Sequence, residues 1–292
     1  MNKPVIGFIG LGLMGGNMAE CLQNAGYELN VMGRNKDAVA ATTARGAKEV
    51  NTPKELAEKS DIVMLCVTTS DVVESLIYGD DGILAGIKQG AVVIDYGTSI
   101  PASTKKIGAD LATKGAGMID APLGRTPAHA KDGLLNIMAA GDTATFEKVK
   151  PVLDVQGENV FYLGELGSGH VTKLINNFMG MTTVCTMSQA FAVADRAGVA
   201  PQQLFDIMSA GPSNSPFMQF CRKYAVDGVS DLGFSMANAS KDIGYFLQMV
   251  EDMGTRAPIA EGTSANLLAA LDAGMGDGNV PEIFDYFKTL KK

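Results

Sequence analysis

The sequence is poor in the residues that build metal, disulfide and nucleic-acid sites. It has no tryptophan, two histidines and four cysteines in 292 residues, and no two cysteines form a C-x-x-C pair. This pattern favours neither a zinc site nor a disulfide framework, so we expect no metal and buried, reduced thiols. The 32 acidic residues outnumber the 24 basic ones. Nucleic acid is therefore disfavoured as a partner, because phosphate binding requires clustered Lys and Arg.

Long uncharged apolar runs are also absent, although apolar residues make up 46% of the chain. No stretch is long enough to cross a bilayer, so we expect no membrane association. No leader pattern precedes the first apolar run, Val5–Ile9. We therefore expect a cytoplasmic globular protein with enough apolar material for one large domain or two ordinary ones.

Short apolar runs alternate with amphipathic segments in the first half of the chain. Most are rich in Val and Ile, as is typical of buried strands. The predicted strands are Val5–Ile9, Glu28–Met32, Ile62–Val67, Ala91–Asp95, Gly117–Asp120, Leu134–Ala139 and Asn159–Tyr162. Helix-start signals occur at Thr52-Pro53, Pro101 and Asp142-Thr143. This alternation predicts crossover connections and a doubly wound parallel sheet.

The pattern changes near Gly164. A proline-free segment from Gly169 to about Ala197 predicts one long helix, and the apolar spacing after Pro201 is helical. We therefore predict an α/β domain over residues 1–164 and an all-α domain over residues 165–292, joined by a long interdomain helix.

A glycine-rich segment follows the first predicted strand and begins the first predicted helix. It fits the pattern G-x-G-x-x-G in the strand–turn–helix context of a Rossmann domain. The first glycine permits a tight turn, the second lets the backbone approach a pyrophosphate, and the third lets the helix pack against the strand. The whole segment is predicted to bind a dinucleotide cofactor: Gly10, Leu11, Gly12, Leu13, Met14 and Gly15.

The end of the second predicted strand bears on the choice of dinucleotide. An acidic residue there would bind the ribose hydroxyls of NAD(H), but the sequence has Gly33, Arg34 and Asn35. Because arginine binds phosphate, we expect NADP(H) to be favoured over NAD(H); the alternative is that Arg34 only stacks on adenine. Two later strand ends carry further predicted cofactor contacts, or else capped turns: Val67, Thr68 and Thr98.

Lys173 and Asn177 lie four residues apart on the predicted long helix and therefore share a face. Polar residues on an otherwise apolar helix need partners. Four motifs occur in order along the chain: Gly10–Gly15, Asp120-Ala121-Pro122, Gly167-x-Gly169-x-x-x-Lys173-x-x-x-Asn177 and Lys241-Asp242. Together they resemble the β-hydroxyacid dehydrogenase family over essentially the whole chain.

The resemblance implies roles for three polar residues. Lys173 corresponds to the general acid/base and Asn177 to a residue that holds the substrate. Lys241 corresponds to a lysine near the nicotinamide, so we assign it to both substrate and cofactor. The chemistry agrees, because hydride addition to a carbonyl leaves an alkoxide that a lysine ammonium can stabilise and protonate. The alternative for Lys173 is a surface lysine with its ammonium in solvent.

The segment after Asp-Ala-Pro departs from the Ser-Gly-Gly run usual in this family. Its Gly-Arg-Thr version resembles that of the sulfolactaldehyde reductase branch, which acts on a three-carbon sulfonate. That resemblance implies contacts between an anionic substrate tail and Gly124, Arg125, Thr126, Asn176 and Asn177. A guanidinium and a hydroxyl fit a sulfonate or a carboxylate, such as that of succinic semialdehyde. The alternative for Arg125 is a structural ion pair.

The sequence thus predicts an NAD(P)H-dependent oxidoreductase that interconverts a short anionic aldehyde and its hydroxy acid. A 3-hydroxyisobutyrate or tartronate semialdehyde reductase type of enzyme is an alternative, and so is a dinucleotide-binding regulator without catalysis. The family resemblance implies a homodimer or homotetramer. We expect His129 to be a surface or capping residue and His170 to be packed at the domain junction.

Overall fold

The computed structural model describes residues 3–290. The chain divides into two compact units, the first ending at Lys173 and the second beginning at Leu174. A domain boundary between residues 164 and 165 stays a prediction, because compact units are defined by contacts and domains by independent folding.

A six-stranded parallel sheet forms the centre of the first unit. Its strands are β1 (Ile6–Ile9), β2 (Leu29–Met32), β3 (Lys48–Glu49), β4 (Ile62–Leu65), β5 (Val92–Asp95) and β6 (Gly117–Asp120). Their order in space is β3-β2-β1-β4-β5-β6, and all neighbouring strands run parallel. The order reverses between β1 and β4, which is where doubly wound sheets bind ligands. The predicted doubly wound fold is confirmed.

Helices follow the strands of the first unit. They are α1 (Leu13–Asn24), α2 (Lys36–Thr43), α3 (Pro53–Lys59), α4 (Ser70–Tyr78), α5 (Ile83–Gly86), α6 (Pro101–Ala112), α7 (Pro127–Lys131), α8 (Thr143–Gln156) and α9 (Ser168–Arg196). Two starts show the capping that the sequence predicted. The Thr52 hydroxyl accepts a hydrogen bond from the Glu55 N–H at 3.1 Å, and the Asp142 carboxylate accepts one from the Thr145 N–H at 3.0 Å.

Alternating side chains bury both faces of the parallel sheet. On β4, Ile62 and Met64 belong to one apolar cluster, whereas Val63 and Leu65 belong to another. Successive residues of a strand point to opposite faces, so a strand covered on both sides needs a continuous apolar run. This requirement explains the uninterrupted Val- and Ile-rich segments of the sequence.

The first unit also contains a second sheet, so the predicted strands Leu134–Ala139 and Asn159–Tyr162 do not belong to the parallel sheet as expected. Its strands are β7 (Leu123–Gly124), β8 (Leu135–Ala139) and β9 (Gly157–Tyr162), in the order β7-β8-β9. The β7–β8 pair is antiparallel and the β8–β9 pair is parallel. Strands of only two residues, such as β3 and β7, show no hydrophobic periodicity, so neither was predicted from the sequence. The second sheet supports the start of the predicted substrate loop.

Helices build the second unit, as predicted, and α9 continues into it. The others are α10 (Pro201–Ser209), α11 (Pro216–Asp227), α12 (Met236–Asp252), α13 (Pro258–Asp272) and α14 (Ile283–Thr289), with a 3-10 turn at Val280–Glu282. Residues 174–290 contain no strand. Buried Met218, Met236 and Ile243 belong to their apolar core. Across residues 3–290, none of the helices combines the length and apolarity that a membrane span requires.

Candidate active site

The glycine-rich segment forms the turn between β1 and α1. Gly10 has a φ of 101°, and a Cβ there would lie 2.2 Å from the Cys66 carbonyl oxygen. A Cβ on Gly15 would lie 1.9 Å from the Gly10 carbonyl oxygen. The fold itself therefore requires glycine at both positions. A Cβ on Gly12 would meet no protein atom within 4 Å, so the space beside Gly12 fits a ligand that approaches the backbone.

The first turn of α1 supplies backbone donors beside this space. Gly12 is the N-cap, and the turn has neither a side-chain cap nor an acidic residue. Leu11 is buried, Met14 is half-buried and Leu13 is 83% exposed. The first N–H groups of a helix lack intrahelical partners and carry partial positive charge. This turn therefore fits the pyrophosphate of a dinucleotide.

The segment after β2 contains three predicted cofactor contacts: Gly33, Arg34 and Asn35. Gly33 is half-buried and Arg34 is exposed. The side chain of Asn35 caps α2, because its Oδ1 accepts hydrogen bonds from the N–H groups of Asp37 and Ala38 at 3.0 and 3.2 Å. That side chain is thus engaged within the protein.

The other cofactor contacts predicted in the first unit lie at the carboxyl ends of β4 and β5. Val67 and Thr68 follow β4, and Thr98 follows β5. In the sheet, β4 is the neighbour of β1 and β5 is the neighbour of β4. The three residues therefore share with the glycine turn the edge at which parallel sheets bind ligands.

Lys173 lies in the second turn of α9 and is half-buried. Its Nζ donates a hydrogen bond to the Leu123 carbonyl oxygen at 2.7 Å. Leu123 belongs to β7 and immediately precedes the predicted substrate loop at residues 124–126. The structure therefore brings the predicted general acid beside that loop, although Lys173 and Leu123 are 50 residues apart in sequence.

The start of α9 is anchored by the Asp-Ala-Pro motif. Both oxygens of Asp120 accept 2.7 Å hydrogen bonds from backbone N–H groups, one from Gly167 and the other from His170. A Cβ on Gly169 would lie 2.3 Å from the Met138 carbonyl oxygen, so the helix approaches β8 closely. Burial raises the pKa of the Asp120 carboxyl, although His170 and the two N–H groups oppose this shift.

The loop that follows β7 contains a strained residue. Arg125 has a φ of 77°, unlike every other non-glycine residue in the described part of the chain. Its guanidinium forms an ion pair with Glu158 on β9 and donates a hydrogen bond to the Leu134 carbonyl oxygen at 2.7 Å. Gly124 is half-buried, and the Thr126 hydroxyl lies 2.7 Å from His129 Nδ1. The loop is thus tied to the second sheet through Arg125.

Two of the predicted site residues of the second unit, Asn177 and Lys241, contact one carboxylate. Buried Asn177 donates a 2.6 Å hydrogen bond from Nδ2 to Asp242 Oδ2, and its Oδ1 lies 3.2 Å from the Asn176 Nδ2 donor. Lys241 Nζ lies 3.0 Å from Asp242 Oδ1 and 5.1 Å from the centroid of the Tyr245 ring. Asp242 therefore positions Asn177 and pairs with Lys241.

Three groups that contact predicted site residues were not predicted from the sequence: Asp242, Glu158 and the Leu123 carbonyl. Asp242 was detectable, because it follows Lys241 in the recognised motif. Glu158 gave no signal, because an acidic residue in a strand is ordinary in sequence. Within residues 3–290, no cluster of three or more His, Cys, Asp or Glu side chains is placed to hold a metal ion.

Two family models match consecutive parts of the chain. Residues 5–164 match the family described as the NAD binding domain of 6-phosphogluconate dehydrogenase. Residues 167–286 match the family described as NAD-binding of NADP-dependent 3-hydroxyisobutyrate dehydrogenase. These matches show NAD(P)-binding domains, and binding at the turn around Gly12 stays a prediction.

Relatives of known name cover almost the whole chain. The 2-(hydroxymethyl)glutarate dehydrogenase of Eubacterium barkeri is 31% identical over 89% of this chain and 87% of its own length. Glyoxylate/succinic semialdehyde reductase 2 of Arabidopsis thaliana is 28% identical over 98% of this chain and 80% of its own length. The structure of 3-hydroxyisobutyrate dehydrogenase from Mycobacterium tuberculosis with L-serine superposes with a TM-score of 0.89 at 24% identity, covering 99% of this chain and 100% of that one. The chain belongs to the β-hydroxyacid dehydrogenase family of NAD(P)-dependent oxidoreductases.

Proposed function

We propose that this chain is an NADP(H)-dependent reductase of a short anionic aldehyde, in which Lys173 is the proton donor. One observation carries the proposal: the Lys173 ammonium is hydrogen-bonded to Leu123, the residue that precedes the Gly124–Thr126 loop. A cationic donor beside a loop rich in hydrogen-bond donors suits a substrate with a carbonyl at one end and an anion at the other.

The proposed reaction is the reduction of an aldehyde, for which a bound reduced nicotinamide would supply the hydride at the carbonyl carbon. As the C=O π bond breaks, its electron pair goes to the oxygen, which takes a proton from Lys173 Nζ. The Leu123 carbonyl oxygen accepts a hydrogen bond from one of the three ammonium N–H groups and so holds Nζ beside the loop. We assign substrate contacts in the second unit to Asn176, Asn177 and Lys241, and we assign Lys241 a role in cofactor binding as well.

The anionic tail is assigned to Gly124, Arg125 and Thr126. Glu158 neutralises Arg125 in the protein without substrate, so a tail that binds the guanidinium competes with this carboxylate. Glu158 thereby sets the affinity for the anion. Arg125 accepts a backbone conformation that costs about 1 kcal/mol for a non-glycine residue, which supports a use for its side chain.

Variants of this pair test the assignment. Arg125→Gly suits the positive φ and removes the guanidinium, so we expect the KM for an anionic aldehyde to rise by about tenfold or more. Glu158→Gln releases the guanidinium and lowers that KM. A neutral aldehyde of similar size is the control, and its KM stays within about twofold. If both aldehydes respond equally, Arg125 only fastens the loop.

The chemistry of the tail separates the candidate substrates. The Gly-Arg-Thr loop supports a sulfonate such as sulfolactaldehyde. The names of the two relatives above support carboxylates, and succinic semialdehyde is the corresponding candidate. Initial rates with sulfolactaldehyde and with succinic, tartronate and methylmalonate semialdehydes decide between them. No reduction of any member of this panel would defeat the proposed function.

Preference for NADP(H) is proposed from Arg34. Its exposed guanidinium follows β2, at the place where an acidic side chain would repel a 2′-phosphate. We expect Arg34→Ala to raise the Kd for NADPH by about tenfold while that for NADH changes by less than about twofold. Equal losses with both coenzymes would mean that Arg34 only stacks on adenine.

A homodimer or homotetramer is part of the proposal. Ile175, Met179 and Val193 of α9 are 46%, 59% and 61% exposed in the single chain, and apolar side chains of this size favour burial. Light scattering during size-exclusion chromatography measures the subunit number, and a monomer at micromolar concentration would contradict this part.

A further inference from the structure

Two buried carboxylates and one buried imidazole meet at the carboxyl edge of the parallel sheet. Asp95 ends β5 and Asp120 ends β6, and the strand register makes them neighbours. His170 lies between them, with Nε2 3.6 Å from Asp95 Oδ2 and Nδ1 3.8 Å from Asp120 Oδ2. All three side chains are at most 1% exposed. We call them the carboxylate–imidazole cluster. Burying such groups is costly unless each finds partners, so their partners indicate what the cluster does.

Asp95 holds the turn that follows β5. Its Oδ1 accepts a hydrogen bond from the Gly97 N–H at 2.8 Å, and its Oδ2 accepts one from the Ser99 hydroxyl at 2.7 Å. Thr98 lies between these two residues. The conformation of a predicted cofactor-contacting turn is therefore set by one member of the cluster.

Asp120 holds the opposite segment, the first turn of α9. It binds the N–H groups of Gly167 and His170 through its two oxygens. A carboxylate at a helix N-terminus is also favoured by the helix dipole. Lys173 follows one turn later, so the position of this first turn determines where the ammonium lies.

The His170 ring joins the two anchored segments. Its Nδ1 lies 2.8 Å from Thr104 Oγ1 on α6. The same hydroxyl donates to the Ile100 carbonyl oxygen at 3.2 Å, so we assign the Nδ1 hydrogen as the donor to Thr104. Nε2 then faces Asp95 Oδ2 at 3.6 Å without a hydrogen bond to it. The hydrogen bond between His170 and Thr104 thus links the first turn of α9 to α6, which begins at Pro101, three residues after Thr98.

We propose that His170 is a positioning residue, which fixes the Lys173 turn of α9 relative to the cofactor turn around Thr98. The inference rests on the proposed function, which assigns proton donation to the first of these segments and cofactor contact to the second. The contacts of the ring with Asp95, Asp120 and Thr104 do not involve the substrate loop or Lys173. Its effect is therefore on the distance and angle between proton donor and cofactor, to which reaction rates are sensitive.

Amide hydrogen exchange tests the link without any substrate. His170→Leu keeps the bulk of the side chain and removes both ring nitrogens. We expect exchange to become about tenfold faster in peptides covering residues 96–104 and residues 166–175 together. His170→Gln retains an amide donor and restores most of the protection. Ser60→Ala removes another buried hydroxyl, one bonded to Leu56, and leaves both peptides at the parental rate.

Kinetics provides the second readout. In folded His170→Leu, kcat falls by about tenfold or more while the Kd for the coenzyme changes by less than about threefold, and His170→Gln recovers most of the rate. If His170→Leu does not fold, Thr104→Val removes the hydroxyl partner and serves in its place. Parental exchange in either peptide, or a parental kcat, overturns the inference. A parent that binds coenzyme but reduces no aldehyde defeats the proposed function alone, because the exchange result stands without it.

Discussion

Replacement of Gly12 by alanine separates cofactor binding from folding. Gly12 has a φ of −76° and a ψ of −162°, which any residue adopts, and a Cβ there meets no protein atom within 4 Å. Alanine in place of glycine at an N-cap costs about 1 kcal/mol or less. A domain with about 5–15 kcal/mol of stability tolerates that cost. The same methyl group occupies space beside the backbone donors of α1, so we expect the Kd for NADPH to rise by about tenfold or more.

At the neighbouring Gly10 and Gly15, we expect replacement by alanine to destabilise the fold itself. At Gly10 a side chain adds about 1–2 kcal/mol of left-handed backbone strain to a 2.2 Å overlap with the Cys66 carbonyl oxygen. At Gly15 the overlap with the Gly10 carbonyl oxygen is 1.9 Å. We expect Gly10→Ala and Gly15→Ala to lower the free energy of unfolding by about 2–4 kcal/mol, measured by urea denaturation.

Gly16→Ala is the matched control, because its Cβ would make an ordinary 3.5 Å contact with the Leu11 carbonyl oxygen. We expect parental stability or better and a parental coenzyme Kd, followed through the fluorescence of bound NADPH. A Gly12→Ala protein that binds NADPH as tightly as the parent would refute the reasoning. So would equal losses of affinity in the Gly12 and Gly16 variants.

Three further perturbations test the candidate site. Lys173→Ala should lower turnover by about two to four orders of magnitude while the coenzyme Kd stays within about threefold; parental turnover would remove its role as proton donor. Because burial raises the pKa of Asp120, ionisation of this carboxyl costs folded-state stability as the pH rises above about 4. Relative to Asp120→Asn, the parent's free energy of unfolding should therefore fall with rising pH, and a rise in urea titrations would contradict this sign. Asp242→Asn weakens the contacts with Asn177 and Lys241. We therefore expect the KM for the substrate to rise by about tenfold. A change in the unfolding midpoint with no change in KM would mean that Asp242 has a structural role only.

Local signals explain why much of the fold was predictable from sequence. Gly15 is required by its contact with the Gly10 carbonyl oxygen and Gly10 by its positive φ, so both requirements arise within a six-residue window. The buried strand β4 is apolar at every position because it is covered on both sides. The long proline-free segment likewise predicted α9 to within about one residue at each end.

Non-local pairing explains what the sequence did not reveal. β7 has two residues and exists only because β8, more than ten residues later, pairs with it. The partner of Lys173 is a backbone carbonyl, which every residue has, so the identity of Leu123 carries no signal for it. The ion pair between Arg125 and Glu158 joins residues far apart in sequence, and no pattern in either segment indicates it.

The shortest strand of the parallel sheet has a consequence for how molecules of this protein meet. β3 forms one edge of the sheet with only Lys48 and Glu49, both exposed and both ion-paired, to Glu28 and Lys36 respectively. A short, charged edge strand leaves few backbone groups for a strand of another molecule to pair with. Its charged side chains also disfavour contact with apolar segments. Fibril-like growth from this border is thereby discouraged, and any ordered assembly has to form through side-chain surfaces instead.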